Sequence, residues 1–340
     1  MTKLYKLIFL NLVFTGTLIS ISSYSWLGMW LGLEINLLSM IPLMQNSKSI
    51  LSSEATIKYF TVQAIASTII LASMIIMMNK SNLTSNINIQ STLMLMMNSA
   101  LLTKMGTAPF HFWFPEVLEG LDWMNCLIIL TWQKIAPMVL LMYNMSFNLF
   151  MTIVILSSMI ISGFMGVNQV SLRKILAYSS INHMGWMLST MMIMETIWMY
   201  YFIIYTLITL NLTLILNKYK IYFLNQLYQS MNENPMIKLW FMLNFLSLSG
   251  IPPFLGFFPK WLVIQALVMN GLILLPITMI ILTLFTIFMY MRIALSSILM
   301  NTNEQNWNKL NFLFKSTSIS LLNFISLASL IFVTVLVNMT

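Results

Sequence analysis

Charge is scarce in this sequence. Sixteen lysines and arginines and eight acids make up 7% of its 340 residues, where a soluble globular chain carries about 25%. So few charges cannot cover a 39.2 kDa globule in water, which excludes a soluble enzyme. Disorder is excluded as well, because 59% of the residues are hydrophobic and a disordered chain needs low hydrophobicity. Cysteine is almost missing. Cys126 is the only one, so an intrachain disulfide, a four-cysteine cluster and a CxxC site are excluded. Two histidines, His111 and His183, are too few for a self-contained haem or copper centre. No Gly-x-Gly-x-x-Gly and no Walker A run occurs, so no known loop for a dinucleotide or ATP is present. A net charge of +8 could point to nucleic acid. The basic residues, however, are scattered at helix ends and read as topology signals, and no nucleic-acid partner is expected.

What is present is apolar sequence, with a mean hydropathy of +0.87. A helix needs about 20 apolar residues to cross the hydrocarbon core. Eleven stretches qualify: 4–22, 24–44, 54–78, 91–118, 122–145, 148–167, 174–194, 196–217, 236–269, 273–299 and 317–338. The expected fold is an all-α polytopic membrane protein of about eleven transmembrane helices, a single unit over 1–340 whose main partner is the lipid bilayer. The fourth and ninth stretches are long and interrupted by proline and glycine.

The basic residues orient it. Lys3, Lys6, Lys48, Arg173, Lys174, Lys218, Lys220, Lys238, Lys309 and Lys315 fall in loops on the N-terminal side, and only Lys80 in loops opposite. That bias puts the N-terminus on the cytoplasmic-equivalent side and, after eleven spans, the C-terminus on the other. Lys3 and Lys6 before the apolar run Leu7 to Ile19 resemble a signal peptide, but no small-x-small cleavage site follows and ten further spans do. The first arginine is Arg173, so no arginine-rich transit peptide is read. A mitochondrial location would imply synthesis inside the organelle.

The two interrupted stretches resemble each other. Gly106-Thr-Ala-Pro-Phe-His-Phe-Trp-Phe-Pro-Glu116 and Gly250-Ile-Pro-Pro-Phe-Leu-Gly-Phe-Phe-Pro-Lys260 share Gly, Pro, Phe, Phe and Pro at matching positions. They lie five spans apart and so run in opposite directions, the trace left by inverted repeats in transporters. Proline removes a helix hydrogen bond. The freed carbonyls must be satisfied by protein or water, so both breaks are expected to line a polar cavity.

Several charges lie inside spans: Lys58, Lys104, Lys134, Lys260 and Arg292, with Glu34 as the one clearly intramembrane acid. A charge at the bilayer centre costs at least ~2.5–3.5 kcal/mol on insertion scales. Glu34, Lys104, Lys134 and His183 sit near the midpoints of their spans and must face the bundle interior. Pairing Glu34 with a lysine at ~4 Å and an effective dielectric near 20 gains about 4 kcal/mol, which offsets the insertion of one member. Making or breaking such a pair moves a buried lysine between charged and neutral, and a line of such groups is a proton relay. The bland readings stand beside this one. Lys58 and Arg292 lie near span ends and can snorkel. One buried Glu–Lys pair can be structural glue. His111, beside a proline and aromatics, reads as a core histidine. Glu116, Glu119 and Asp122 read as a solvated cluster or a partner contact. Three central lysines with one central acid are harder to explain as glue.

Five stretches carry a family resemblance: Leu33-Glu34-Ile-Asn, Glu54-Ala-Thr-Ile-Lys58-Tyr-Phe, Lys104 to Val117, Arg173 to Trp186, and Leu248 to Lys260. With them the whole chain resembles the antiporter-like membrane-arm subunits of NADH–ubiquinone oxidoreductase, respiratory complex I, in the animal form that lacks the first three of fourteen helices. The resemblance implies a proton relay of Glu34, Lys58, Lys104, Lys134, His183 and Lys260. Glu34 matches the membrane glutamate, Lys58 the lysine near it, and Lys104 the central lysine. Lys134 matches the connecting lysine, His183 an axial histidine, and Lys260 the lysine of the second broken helix. Lys104 precedes its break and Lys260 follows its own, so the halves are not chemically equivalent. The resemblance further implies no cofactor in this chain, with FMN, iron–sulfur clusters and ubiquinone in other subunits, and bound phospholipid or cardiolipin. Neighbouring antiporter-like subunits become the partners. The mitochondrial inner membrane becomes the location, with the N-terminus in the matrix and the C-terminus in the intermembrane space. A rearrangement from a neighbour would perturb Glu34, Lys58 and Lys104, and charge would pass through Lys134 towards Lys260.

Two rival readings remain. A free-standing cation/proton antiporter predicts ion exchange without NADH. A structural spacer predicts that lysine substitutions harm assembly or nothing. The amphipathic Leu224, Leu227, Tyr228 and Met231 are expected to rest on the membrane surface or on a neighbour.

Overall fold

The computed structural model describes residues 4–46, 49–81, 87–145, 149–231 and 235–299, and their side chains except at 79–81, 87–91, 229–231, 235–237 and 298–299. The eleventh expected span, 317–338, lies outside the described residues, as do Lys3, Lys48, Lys309 and Lys315; the side chain of Lys80 lies outside them too. The chain divides into two compact units, Met1–Phe147 and Asn148–Thr340.

The first unit contains α1 (Leu4–Ser22), α2 (Trp26–Met44), α3 (Ile50–Ser81), α4 (Ile87–Met105), α5 (Trp113–Glu119), α6 (Trp123–Leu130) and α7 (Trp132–Met142). Small residues bring α1 and α2 together. Carbons added at Gly16 and Gly32 would come within 3.0 Å and 2.5 Å of the facing backbone, and such close approach supplies the packing that membrane helices lack from the hydrophobic effect. Indole donors tie the other helices. Trp30 Nε1 donates to the Ser67 carbonyl at 3.1 Å, and Trp132 Nε1 to Thr17 Oγ1 at 3.2 Å.

The second unit contains α8 (Leu149–Val167), α9 (Leu172–Met191), α10 (Glu195–Tyr219), α11 (Leu224–Met231), α12 (Pro235–Ser249), α13 (Phe257–Met269) and α14 (Leu274–Leu299). Its core is α9, which is buried on every face from Ile175 to Met191 and packs against α8, α10, α13 and α14. Gly185 lets α8 approach, since a carbon there would lie 2.5 Å from Ser158 Oγ.

Among the described residues seven stretches are individually long and apolar enough to span a bilayer: Leu4–Ser22, Trp26–Met44, Ile50–Met78, Trp123–Met142, Leu149–Val167, Glu195–Tyr219 and Leu274–Ser297. The other three expected spans in the described region are helical but fail for physical reasons. Two are the interrupted pairs α4–α5 and α12–α13. The third is α9, whose Ser179, Ser180, Asn182, His183, Ser189 and Thr190 are buried in protein and need no lipid-facing apolar surface.

Two further differences from the expected layout have local causes. The fifth span bends at Thr131 (φ −116°, ψ −73°). There the threonine hydroxyl donates to the Leu127 carbonyl at 2.7 Å, a back-bond that bends helices. The amphipathic stretch at 224–231 packs against the chain's own α14, and the side chain of Met231 lies outside the described residues. Leu227 is fully buried, and Tyr228 shares a 2.7 Å hydrogen bond with Ser296 on α14.

Candidate functional site

Both helix breaks start in the same way. α4 ends at Met105 and is followed by Gly106 at φ +71°; α12 ends at Ser249 and is followed by Gly250 at φ +78°. Such left-handed backbone suits glycine at the end of a helix. The chain then passes through Pro109 and through Pro252 and Pro253 into α5 and α13. The repeat therefore places the same left-handed glycine, followed by a resumed helix seven residues on, in both units.

The carbonyls freed at the first break are taken up by neutral donors. Thr107 gives its N–H and its hydroxyl to Leu102 O, both at 3.2 Å. Trp113 Nε1 donates to Thr103 O at 3.1 Å. Gln63 Nε2, from α3, donates to Lys104 O at 3.1 Å. The break brings the Phe114 ring under Gly106, 3.0 Å from where a β-carbon would stand. The same ring faces the Lys134 ammonium at 5.4 Å, within cation–π range.

Around these residues lies a cavity of about 20 Å³, room for one water molecule, lined by Asn36, Tyr59, Gln63, Lys104, Gln133 and Lys134 among apolar neighbours. Lys104 is 7% exposed and Lys134 2%. Lys104 reaches the cavity because the break ends α4 one residue later. Lys134 reaches it one turn past the Thr131 bend. Gln133 Nε2 donates to Asn36 Oδ1 at 2.9 Å, closing the wall between α7 and α2. Glu34 is partly buried on α2, and its charge acts on Lys104 through space.

The expected contact between Glu34 and a lysine is not what the structure holds. Lys58 instead stands in a direct ion pair with Glu116, at 2.7 Å with about half of each side chain exposed. Lys58 points outward from α3 and does not line the cavity. Glu116 is therefore neither merely solvated nor remote: it ties α5 to α3 beside the break.

In the second unit, His183 on α9 is buried, with Nδ1 2.9 Å from the Tyr201 hydroxyl on α10 and its ring 5.2 Å from that of Tyr205. Tyr290 on α14 lies beside Ser179, one turn before His183. Lys260, one turn into α13, is 7% exposed. Its ammonium donates to Ser249 O, the last carbonyl of α12, at 2.7 Å, and faces the Trp186 ring at 5.9 Å.

The sequence reading missed Asn36, Gln63 and Gln133 in the first unit and Tyr201, Tyr205 and Ser249 in the second. The amides had a signal, since each is a polar side chain within an apolar span. The tyrosines had none, because an aromatic in such a span reads as packing. Among the described residues no group of three or more His, Cys, Asp or Glu could hold a metal ion.

Comparison with known proteins places this arrangement. The family model for the transmembrane region of the NADH:quinone oxidoreductases and Mrp antiporters matches residues 23–286. NADH-ubiquinone oxidoreductase chain 2 of Anopheles gambiae is 49% identical over 99% of this chain and 99% of its own length. The protein of that name from Lemur catta is 40% identical over 90% of this chain and 89% of its own. Among solved structures, a chain of respiratory complex I from Thermus thermophilus has the same fold, with a TM-score of 0.85 at 21% identity over 96% of this chain and 78% of that one. A chain of the Mrp complex from a Dietzia species matches with a TM-score of 0.73 at 17% identity, over 84% of this chain and 59% of its own.

Proposed function

The chain belongs to the NADH-ubiquinone oxidoreductase chain 2 family, within the NADH:quinone oxidoreductase/Mrp antiporter membrane proteins, and from that premise we propose that it is a proton-translocating membrane-arm subunit of respiratory complex I. NADH oxidation, FMN, the iron–sulfur clusters and ubiquinone reduction belong to other subunits of the assembly. This chain contributes buried ionisable groups, and neighbouring antiporter-like subunits supply the mechanical input. It works as one antiporter-like unit of about eleven spans in the mitochondrial inner membrane. The lysine asymmetry puts its N-terminus in the matrix and its C-terminus in the intermembrane space. Phospholipid, cardiolipin included, covers its outer apolar faces.

In this reading a rearrangement from a neighbour alters the field of Glu34 at Lys104. The Lys104 ammonium gives a proton to a water in the cavity, and that water gives one to the Lys134 amine. His183 and Lys260 carry the corresponding exchange in the second unit. Lys58 enters through its pair with Glu116, which couples the outer side of α3 to α5 and so to the break. The observation that supports the reading is that Lys104 and Lys134, on different helices and both buried, line one cavity with room for a water.

The test is Lys104→Met in the assembled complex. Fewer protons transported per NADH with assembly intact is the expected outcome, and an unchanged ratio would remove Lys104 from the relay. The family description also covers Mrp antiporters, which keeps a free-standing cation/proton antiporter as a second reading. Native gels of gently extracted membranes separate the two: the chain should run in a very large band that oxidises NADH, whereas a small band without that activity would favour the antiporter.

A further inference from the structure

The two breaks use the same glycine for different neighbours. In the first unit the surface of Gly106 is covered by the Phe114 ring, and the freed carbonyl of Lys104 is met by a neutral amide, that of Gln63. In the second unit the three atoms nearest to a β-carbon at Gly250 all belong to one side chain: Lys260 Cδ at 2.8 Å, Nζ at 2.9 Å and Cε at 3.0 Å. The same ammonium donates to Ser249 O at 2.7 Å. That carbonyl lies at the partly negative end of α12, where a cation is favoured. Trp186 closes the other side of the ammonium. The cap of the first break is thus neutral and that of the second is a cation, and the cation occupies the space that a β-carbon at residue 250 would crowd.

We propose that Gly250 is the positioning residue for Lys260, its bare Cα holding the ammonium against the carbonyl end of α12. The proposal rests on the reading of Lys260 as a proton carrier. A β-carbon at 250 would stand 2.8 Å from Cδ and 2.9 Å from Nζ of Lys260, so the tip of the lysine must shift from its present place at Ser249 O. The proton then sits on a lysine no longer anchored to the helix end, and its transfer loses its fixed starting geometry.

Gly271 provides the control. It has the same φ of +78° and nothing within 4 Å of a β-carbon, so Gly271→Ala carries the backbone strain alone. Gly250→Ala carries the strain and displaces Lys260. Gly250→Asn and Gly271→Asn repeat the comparison with a residue that tolerates left-handed backbone. The measurement is protons moved per electron, and proton-coupled turnover normalised to assembled complex; a purely structural defect lowers the yield of complex but not these values. Loss of a hydrogen bond to a charged group predicts that coupled turnover of the Gly250 variants falls on the order of tenfold below the matching Gly271 variants. Equal values for the two positions overturn the proposal. So does failure of both Gly250 variants to assemble where both Gly271 variants do, because the glycine would then serve the fold itself. Lys260→Met, measured alongside, tests the underlying reading. If it leaves pumping unchanged, Lys260 is not a carrier; if it abolishes pumping while the positions 250 and 271 behave alike, the positioning role alone fails.

Discussion

The side-chain amide of Gln63 donates to the main-chain carbonyl of Lys104 at 3.1 Å, across the gap between α3 and α4. The break at Gly106 deprives that carbonyl of a helical partner, and Gln63 supplies one from a buried position. Gln63→Leu keeps the approximate volume and removes the donor, leaving a buried acceptor unpaired at a cost of ~1–3 kcal/mol. The expected result is a lower temperature of thermal dissociation for the assembled complex. An unchanged dissociation temperature for Gln63→Leu would mean that the carbonyl does not depend on the amide.

Gly32 faces the backbone of α1, with the Ser20 nitrogen 2.5 Å and the Gly16 carbonyl 2.8 Å from the place of a β-carbon. Those are main-chain atoms and cannot swing aside, so Gly32→Ala must part the helices. Overpacking of this kind costs ~1–3 kcal/mol. Limited proteolysis of isolated complex should release the α1 region faster in the variant. Equal rates would show that the helix pair carries none of the local stability.

The breaks were legible in the sequence because the constraint is local. Only glycine is comfortable at φ +71° and +78°, and the prolines beyond it announce that the helix has ended. The buried lysines were legible because a charge near the midpoint of an apolar span has to face inward, whereas Lys58, nearer a span end, points outward. The partners of these groups were not legible. Gln63 and Lys104 are 41 residues apart, and His183 and Tyr201 18, so no spacing rule links them. Glu34 was matched to a lysine by charge alone, but Glu116 lies on the outward side of α5 where Lys58 points, and the closer acid takes the contact. The bend at Thr131 escaped notice because threonine is tolerated in a helix until its hydroxyl turns back onto a carbonyl. The stripe at 224–231 gave no sign of the Tyr228–Ser296 hydrogen bond that ties it to α14 of the same chain, 68 residues away.

Lys58 feels Glu116 first and then Glu54 and Glu119. Lys58→Glu therefore sets four acids against one another at the junction of α3 and α5. The single variant should lower the amount of assembled complex, and the exchange Lys58→Glu with Glu116→Lys should recover much of it, since the pair is restored in reverse. Quantitative native gels check this. If the double variant assembles no better than the single one, the ion pair is not what joins the two helices.

The last prediction concerns His183 and Tyr201. The tyrosine hydroxyl lies 2.9 Å from Nδ1 and holds the imidazole in place by a hydrogen bond in which either atom can be the donor. Tyr201→Phe keeps the edge-on ring contact, whose centroids lie 5.9 Å apart, and removes only the hydroxyl. The complex should assemble, while proton-coupled turnover falls on the order of tenfold, the range expected when a proton-transfer group loses its orienting hydrogen bond. Tyr205→Phe is the comparison. That tyrosine touches the histidine through its ring, and its hydroxyl lies beside Ser180, so turnover should change much less. Equal effects from both substitutions would show that the tyrosines matter as packing.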